Sequence, residues 1–119
     1  MINLDYQSRT PIYEQIINEI EKYVSLGILK PKEQILSIRE MASVLGINPN
    51  TVKKAYSELE NKGVIQTFST KGTFISDNVE KIKEENIRNK MTEINKIIVE
   101  LERLGITKEE IIERLKKEY

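Results

Sequence analysis

The chain has 119 residues, with 19 basic and 19 acidic side chains, no cysteine and no histidine. The missing cysteine excludes disulfide frameworks and thiolate metal sites, and the missing histidine excludes Ser-His-Asp chemistry and the commonest zinc ligand. This length allows one small domain with an appendage but no deep catalytic cleft, so we predict a protein that is not an enzyme and uses neither a metal nor a cofactor.

The charge distribution is more informative than the net charge of zero. A neutral chain lacks the basic balance that often accompanies nucleic-acid binding. Within residues 49–71, however, four lysines outnumber two glutamates, which predicts a local positive face. No apolar run approaches the roughly 18 residues of a membrane span, and the amino terminus lacks the pattern of a signal peptide. We therefore expect a cytoplasmic protein without a membrane partner.

The first predicted helix begins at Thr10-Pro11 and ends at Gly27. Thr10 is the candidate N-cap, and Pro11 suits the first helical position. An apolar stripe at helical spacing must be buried against the helices that follow. The stripe consists of Ile12, Ile16, Ile17, Ile20 and Val24. Residues 28–36 are predicted to form a connector interrupted by Pro31.

Residues 37–63 predict two helices joined by a tight turn. Ser37 and Glu40 have the spacing of a capping box, in which each residue bonds the backbone N–H of the other. Apolar residues then recur at helical spacing until Gly46, whose permissive backbone ends the first helix.

The second helix of this pair begins at Asn48-Pro49 and ends at Gly63. The residue before proline is pushed out of the α region, so Asn48 is the expected cap and Pro49 the first helical residue. So short a turn makes the two helices cross steeply, which projects the second helix outward as in helix-turn-helix DNA binding. Its outer face near the start carries Asn50, Thr51, Lys53 and Lys54.

A β-hairpin follows the three helices. Residues 64–68 and 72–75 are β-branched or aromatic runs separated by three polar residues, which is typical of two paired strands. The order of three helices and a hairpin predicts a winged helix-turn-helix fold. Its wing is the hairpin loop, where Lys71 and the backbone of Gly72 can approach DNA.

The predicted DNA-binding domain comprises residues 1–77, and a two-helix region comprises residues 78–119. Thr107 and Glu110 have capping-box spacing at the start of the last helix. Apolar residues in the longer helix alternate at spacings of four and three, which indicates a coiled-coil-like seam. Two such helices cannot bury their apolar stripes on each other alone, so we predict that the region dimerises. The predicted dimerisation residues are Ile87, Met91, Ile94, Ile98, Leu101, Ile111 and Leu115.

Six short motifs occur in a fixed order between residues 11 and 74. They are Pro11-Ile-Tyr-x-Gln-Ile, Gly27-x-Leu-x-Pro31, Ser37-x-Arg39-Glu-Met-Ala42, Gly46-x-Asn-Pro-Asn-Thr51-Val52, Ala55-Tyr56-x-x-Leu59-Glu60-x-x-Gly63 and Lys71-Gly-Thr-Phe74. Together they resemble the DNA-binding domain of GntR-family transcription regulators. The short tail looks like that of the YtrA-like branch, which implies a homodimeric repressor on a palindromic operator.

The resemblance also implies which residues contact DNA. Arg39 matches an arginine in the first helix of the motif, three residues match the start of the recognition helix, and two match the wing tip. The implied DNA-binding residues are Arg39, Asn50, Thr51, Lys53, Lys71 and Gly72. Lys32 departs from the family because a glycine is common at that position. For Lys53, a solvated surface charge explains the residue about as well as a DNA contact does.

Two functions stay open on this reasoning. The leading one is a sequence-specific repressor that binds double-stranded operator DNA as a homodimer. The alternative is a winged-helix protein-interaction module without DNA binding, which the neutral net charge supports because a fold does not by itself determine function. An effector, if one exists, is expected between the tail and the DNA-binding domain, but no cluster of residues identifies its pocket.

Overall fold

The computed structural model describes residues 2–119, which contain five helices and three strands. The helices are α1 (Ile12–Ser25), α2 (Ile38–Leu45), α3 (Pro49–Asn61), α4 (Val79–Arg103) and α5 (Lys108–Glu118). The strands are β1 (Gln34–Ile35), β2 (Ile65–Phe68) and β3 (Gly72–Ile75). The mainly α fold with a small hairpin is as predicted. The chain divides into an N-terminal unit that ends at Lys83 and a C-terminal unit, Glu84–Tyr119.

The core of the N-terminal unit forms where α1 and α2 both pack against α3. The predicted stripe of α1 supplies Ile16, Ile17, Ile20 and Val24, all of them buried. Fully burying one such aliphatic side chain contributes about 1.5–3 kcal/mol, so this stripe is a principal source of the unit's stability. The buried residues of α3 are Val52, Ala55, Tyr56 and Leu59.

The starts of α2 and α3 follow the predicted hydrogen bonds. The hydroxyl of Ser37 accepts from the backbone N–H of Glu40 at 3.2 Å, and the Glu40 carboxylate accepts from the N–H of Ser37 at 3.0 Å. The side-chain oxygen of Asn48 accepts from the backbone N–H of Asn50 at 2.8 Å. Because these bonds begin both helices, they determine where the tight turn between them lies.

The predicted cap of α1 is wrong. Pro11 occupies the N-cap position, makes no side-chain capping bond, and the helix begins one residue later than expected. The backbone of Thr10 is held in another way, since its N–H donates to Ser8 Oγ and its carbonyl accepts from Gln15 Nε2. The side chain of Gln15 thus ties the segment before the helix to its first turn, but it does not cap the helix.

The sheet has one strand more than predicted. Strand β3 lies between β1 and β2 and is antiparallel to both. In the predicted hairpin Ile65 lies opposite Ile75, and both are buried in the core. The additional strand β1 pairs Gln34 with Phe74 within the segment that was expected to be a connector. This pairing ties the connector to the wing.

The C-terminal unit exposes most of its predicted seam. Ile87, Met91 and Ile94 are between 45% and 50% exposed, and Leu115 is 54% exposed. Ile98 and Leu101 are half-buried, whereas Ile111 is buried. The hydroxyl of Thr107 accepts from the N–H of Glu110 at 3.1 Å and begins α5 as predicted. None of the helices within residues 2–119 combines the length and apolarity that crossing a membrane requires.

Candidate nucleic-acid interface

A hydrogen bond from a buried tyrosine holds the two helices of the helix-turn-helix in position. The hydroxyl of Tyr56, on α3, donates to the backbone carbonyl of Leu36, just before α2, at 2.7 Å. Tyr56 is buried, and this burial raises the pKa of its hydroxyl, so the side chain stays a neutral donor. The bond therefore joins the middle of α3 to the residue that precedes the Ser37 cap.

The first turn of α3 presents polar and basic groups to solvent. Asn50 and Lys53 are exposed, whereas Thr51 is half-buried and its N–H donates to the carbonyl of Asn48 at 3.0 Å. No acidic residue occurs in this turn. The aligned peptide dipoles give a helix start positive partial charge, and Lys53 adds a full charge, so this end of α3 favours phosphate oxygens.

The two neighbouring lysines of α3 have different surroundings. The Lys54 ammonium lies 3.9 Å from the ring centroid of Tyr13, on α1. Such a cation–π contact holds the side chain against the protein and contributes about 0.5–1 kcal/mol at an exposed site. Lys53 has no comparable contact within residues 2–119. Of the two, Lys53 is therefore the one available to an external ligand.

Arg39 is the second residue of α2 and is exposed. The ion pairs found in the described part of the chain do not include it. Its guanidinium is thus available to recognise a phosphate or the edge of a guanine in the bidentate manner characteristic of arginine.

The wing tip is fixed by a side chain that the sequence did not identify. Lys71 is exposed, and its backbone N–H donates to the carbonyl of Phe68 at 3.0 Å, which closes the turn. Gln34 Nε2, on β1, donates to the backbone carbonyl of Lys71 at 3.2 Å. A Cβ at Gly72, where φ is +115°, would lie 2.6 Å from the same nitrogen. Glycine at this position therefore permits Gln34 to hold the wing.

A further lysine lies beside the wing. Lys32 has a φ of +69°, and its N–H donates to the carbonyl of Ile75 at 2.9 Å. Lys32 and Lys71 line one shallow groove, together with Asp77 and the paired rings of Phe68 and Phe74. In the sequence, Lys32 was noted only because it replaces a glycine that is common in the family. Lys32 thus places a second lysine in the same groove as Lys71.

All six residues implied to bind DNA lie in the N-terminal unit, on α2, α3 and the wing. The seven residues predicted to dimerise all lie in the C-terminal unit. Across the described residues 2–119, no cluster of three or more His, Cys, Asp or Glu side chains is placed to hold a metal ion. The residues implied to bind DNA and those predicted to dimerise therefore belong to different units.

Comparison with known proteins assigns the family. The profile described as "Bacterial regulatory proteins, gntR family" matches residues 12–75. The chain is 40% identical to the HTH-type transcriptional repressor YtrA of Bacillus subtilis (strain 168), over 98% of this chain and 91% of that protein. A transcriptional regulator from Oenococcus oeni superposes with a TM-score of 0.72 and 34% identity, over 98% of both chains.

A structure with DNA is also similar. AraR(DBD), solved in complex with operator ORR3, matches with a TM-score of 0.55 and 26% identity, over 62% of this chain and 89% of that chain. The full-length relatives are named as regulators of transcription, which confirms the prediction that the chain is not an enzyme. On the family profile and the whole-length similarity together, the chain belongs to the gntR family of bacterial regulatory proteins, in the short-tailed branch similar to YtrA.

Proposed function

We propose that this regulator is a repressor that binds a palindromic operator as a homodimer. The observation that carries the proposal is the exposure of Arg39, Lys53 and Lys71, without ion pairs among residues 2–119, on the parts of a winged helix-turn-helix that meet DNA. The similarity to a protein named as a repressor supports repression over activation.

In the proposed complex, the start of α3 enters the major groove. Asn50, Thr51 and Lys53 face base edges and the adjoining phosphates, and Arg39 approaches from α2. The wing lies on the flanking backbone, where Lys71 and the backbone N–H of Gly72 bind phosphates. Affinity then depends mainly on the phosphate contacts, whereas specificity depends on the few side chains that reach the bases.

The exposed seam of the C-terminal unit supports the homodimer. Contiguous apolar side chains on a charged helix are costly to leave in water, and a second copy offers the same heptad spacing for knobs-into-holes packing. A symmetric pair presents two copies of α3, so the half-sites should lie about one helical turn apart. This arrangement explains why the operator is expected to be palindromic.

The homodimer is tested by light scattering at micromolar concentration. The expected mass is twice the 13.9 kDa of one chain. Ile94→Glu places a charge on the seam and should give a monomer, whereas Thr92→Glu introduces the same charge off the seam and should leave the dimer intact. A monomeric wild type, or equal behaviour of both variants, would exclude this dimer.

Operator binding is tested by footprinting on the DNA upstream of the protein's own gene. Loss of a bidentate guanine contact costs about 1–3 kcal/mol, so Arg39→Ala should weaken binding by about 5- to 150-fold and relax specificity. Arg88→Ala removes an exposed arginine of α4 and should change binding by less than about twofold. The logarithm of the binding constant should fall steeply with the logarithm of salt concentration. Binding that is absent or insensitive to salt would refute the proposed function.

A further inference from the structure

A groove of about 630 Å³ opens in the N-terminal unit beside the end of α1, β1 and the start of α2. Most of its lining is aliphatic, including Ile28, Leu29, Ile35 and Met41. Small-molecule sites typically have volumes of about 300–1,000 Å³, mainly apolar walls and a few polar groups. The size and lining of this groove match that class of site.

One carboxylate lies on the apolar wall. Among the described residues that line the groove, Glu40 alone carries a charge. Its Oε1 accepts from the N–H of Ser37 at 3.0 Å, and the side chain is exposed to solvent. The hydrogen bond from Ser37 lowers the pKa of Glu40, so the carboxylate is ionised near neutral pH. An anion on an apolar wall is complementary to a ligand that joins a cationic head to an apolar body.

Two groove residues also support the DNA-facing surface. Gln34 lines the groove and holds the carbonyl of Lys71 in the wing turn. Glu40 lines it and completes the cap of α2, next to Arg39. A cationic head that draws the Glu40 carboxylate toward it, and an apolar body that displaces the Gln34 side chain, would disturb both contacts. Occupancy of the groove should therefore loosen the wing tip and the first turn of α2 together.

We propose that this groove binds a small cationic amphiphile, with its apolar body against Ile28, Leu29 and Ile35 and its cationic head at Glu40, and that binding lowers operator affinity. The second half of this inference rests on the proposed function. Linkage requires that operator DNA weaken ligand binding by the same factor by which the ligand weakens DNA binding.

Ligand binding is tested on the full chain without DNA. The probe is octyltrimethylammonium below its micelle concentration, and octyl sulfate and octanol serve as matched anionic and neutral probes. Methyl NMR should show shifts at Ile28, Leu29, Ile35 and Met41, with the cation bound at least fivefold more tightly than either control probe. Equal affinity for the three probes, or shifts confined to α4 and α5, would overturn the site.

A matched pair of variants tests the role of the carboxylate. Glu40→Gln keeps the capping box, since glutamine serves at that position, but removes the charge. Glu110→Gln makes the same change at the start of α5. We expect at least a fivefold loss of affinity for octyltrimethylammonium in the first variant and none in the second. Equal affinities in the two variants would show that the carboxylate does not bind the head group.

The regulatory half is tested by titrating labelled operator in saturating octyltrimethylammonium. Operator affinity of the wild type should fall at least threefold, and that of Glu40→Gln should not change at the same probe concentration. Unchanged wild-type affinity would refute regulation through this groove. If the chain binds no operator at all, the proposed function fails, whereas the methyl shifts still decide the ligand site.

Discussion

The end of α3 provides a quantitative test of how the N-terminal unit holds the first turn of α4. Gly63 has a φ of +79°, and a Cβ at this position would lie 2.6 Å from Cδ1 of Ile82. Gly46 follows α2 with a φ of +67°, and nothing lies within 4 Å of its Cβ position. Alanine substitutions at the two glycines therefore share a backbone cost and differ in one side-chain contact.

The backbone cost of a Cβ in the left-handed region is about 1–2 kcal/mol, which is the whole effect expected of Gly46→Ala. In Gly63→Ala the half-buried Ile82 must also leave its rotamer or shift, which adds about 1 kcal/mol. We expect Gly63→Ala to lower the free energy of unfolding by about 2–3 kcal/mol. Adding Ile82→Ala removes the obstructing atom, so the two substitutions together should cost about 1 kcal/mol less than the sum of their separate costs.

Urea unfolding followed by far-ultraviolet circular dichroism measures these differences, provided that the dependence on urea is the same for all variants. Gly46→Ala is a matched control for Gly63→Ala, because both glycines follow helices of the same unit. Equal losses in the two glycine variants, or strict additivity of Gly63→Ala and Ile82→Ala, would refute the inferred contact.

Three further predictions concern stability. Tyr56→Phe leaves the carbonyl of Leu36 without its donor and should cost about 1–3 kcal/mol in urea unfolding; no loss would exclude the bond. The pKa of Glu40 is lowered by the N–H of Ser37, so the stability that its charge contributes is complete above the ordinary value of 4.5 and is lost as the pH falls through the lower folded value. The free energy of unfolding of the wild type should accordingly exceed that of Glu40→Gln by a constant amount between pH 6 and 8, and this difference should decline below about pH 4.5. A difference that stays constant down to pH 3 would contradict this prediction. Lys32 has a left-handed backbone conformation that glycine adopts without strain, but glycine also increases the conformational entropy of the unfolded chain. In a thermal melt, Lys32→Gly should therefore leave the free energy of unfolding unchanged or raise it by up to about 1 kcal/mol. A clear loss of stability would contradict this prediction.

The starts of α2 and α3 were predictable because each depends on a hydrogen bond within the same four residues. Ser37 bonds Glu40, and Asn48 bonds Asn50, so no distant part of the chain is needed. The prediction at Thr10 was wrong although its pattern was equally local, since Pro11 holds the N-cap position and the Gln15 amide donates to the carbonyl of Thr10. Local patterns identify that a helix begins, but they can misplace its first residue by one position.

The helices of the helix-turn-helix and the hairpin were predicted in outline from motifs that lie on single elements. The wing support was not, because the bond between Gln34 and Lys71 joins residues 37 positions apart and β1 is a strand of two residues. A strand of two residues is too short to show the alternation of apolar and polar residues by which a strand is recognised in a sequence. The groove beside Glu40 was missed for the same reason, since its walls come from α1, β1 and α2.

The sequence by itself determined the starts of α2, α3 and α5, the buried face of α1, the strands of the hairpin and the family pattern, because each is encoded by residues a few positions apart. The tertiary structure alone decided that Lys54 packs on Tyr13 while Lys53 stays free of such a contact, and that Gln34 holds the wing. These contacts depend on where the packing of α1 against α3 and the pairing of β1 with β3 bring distant side chains together.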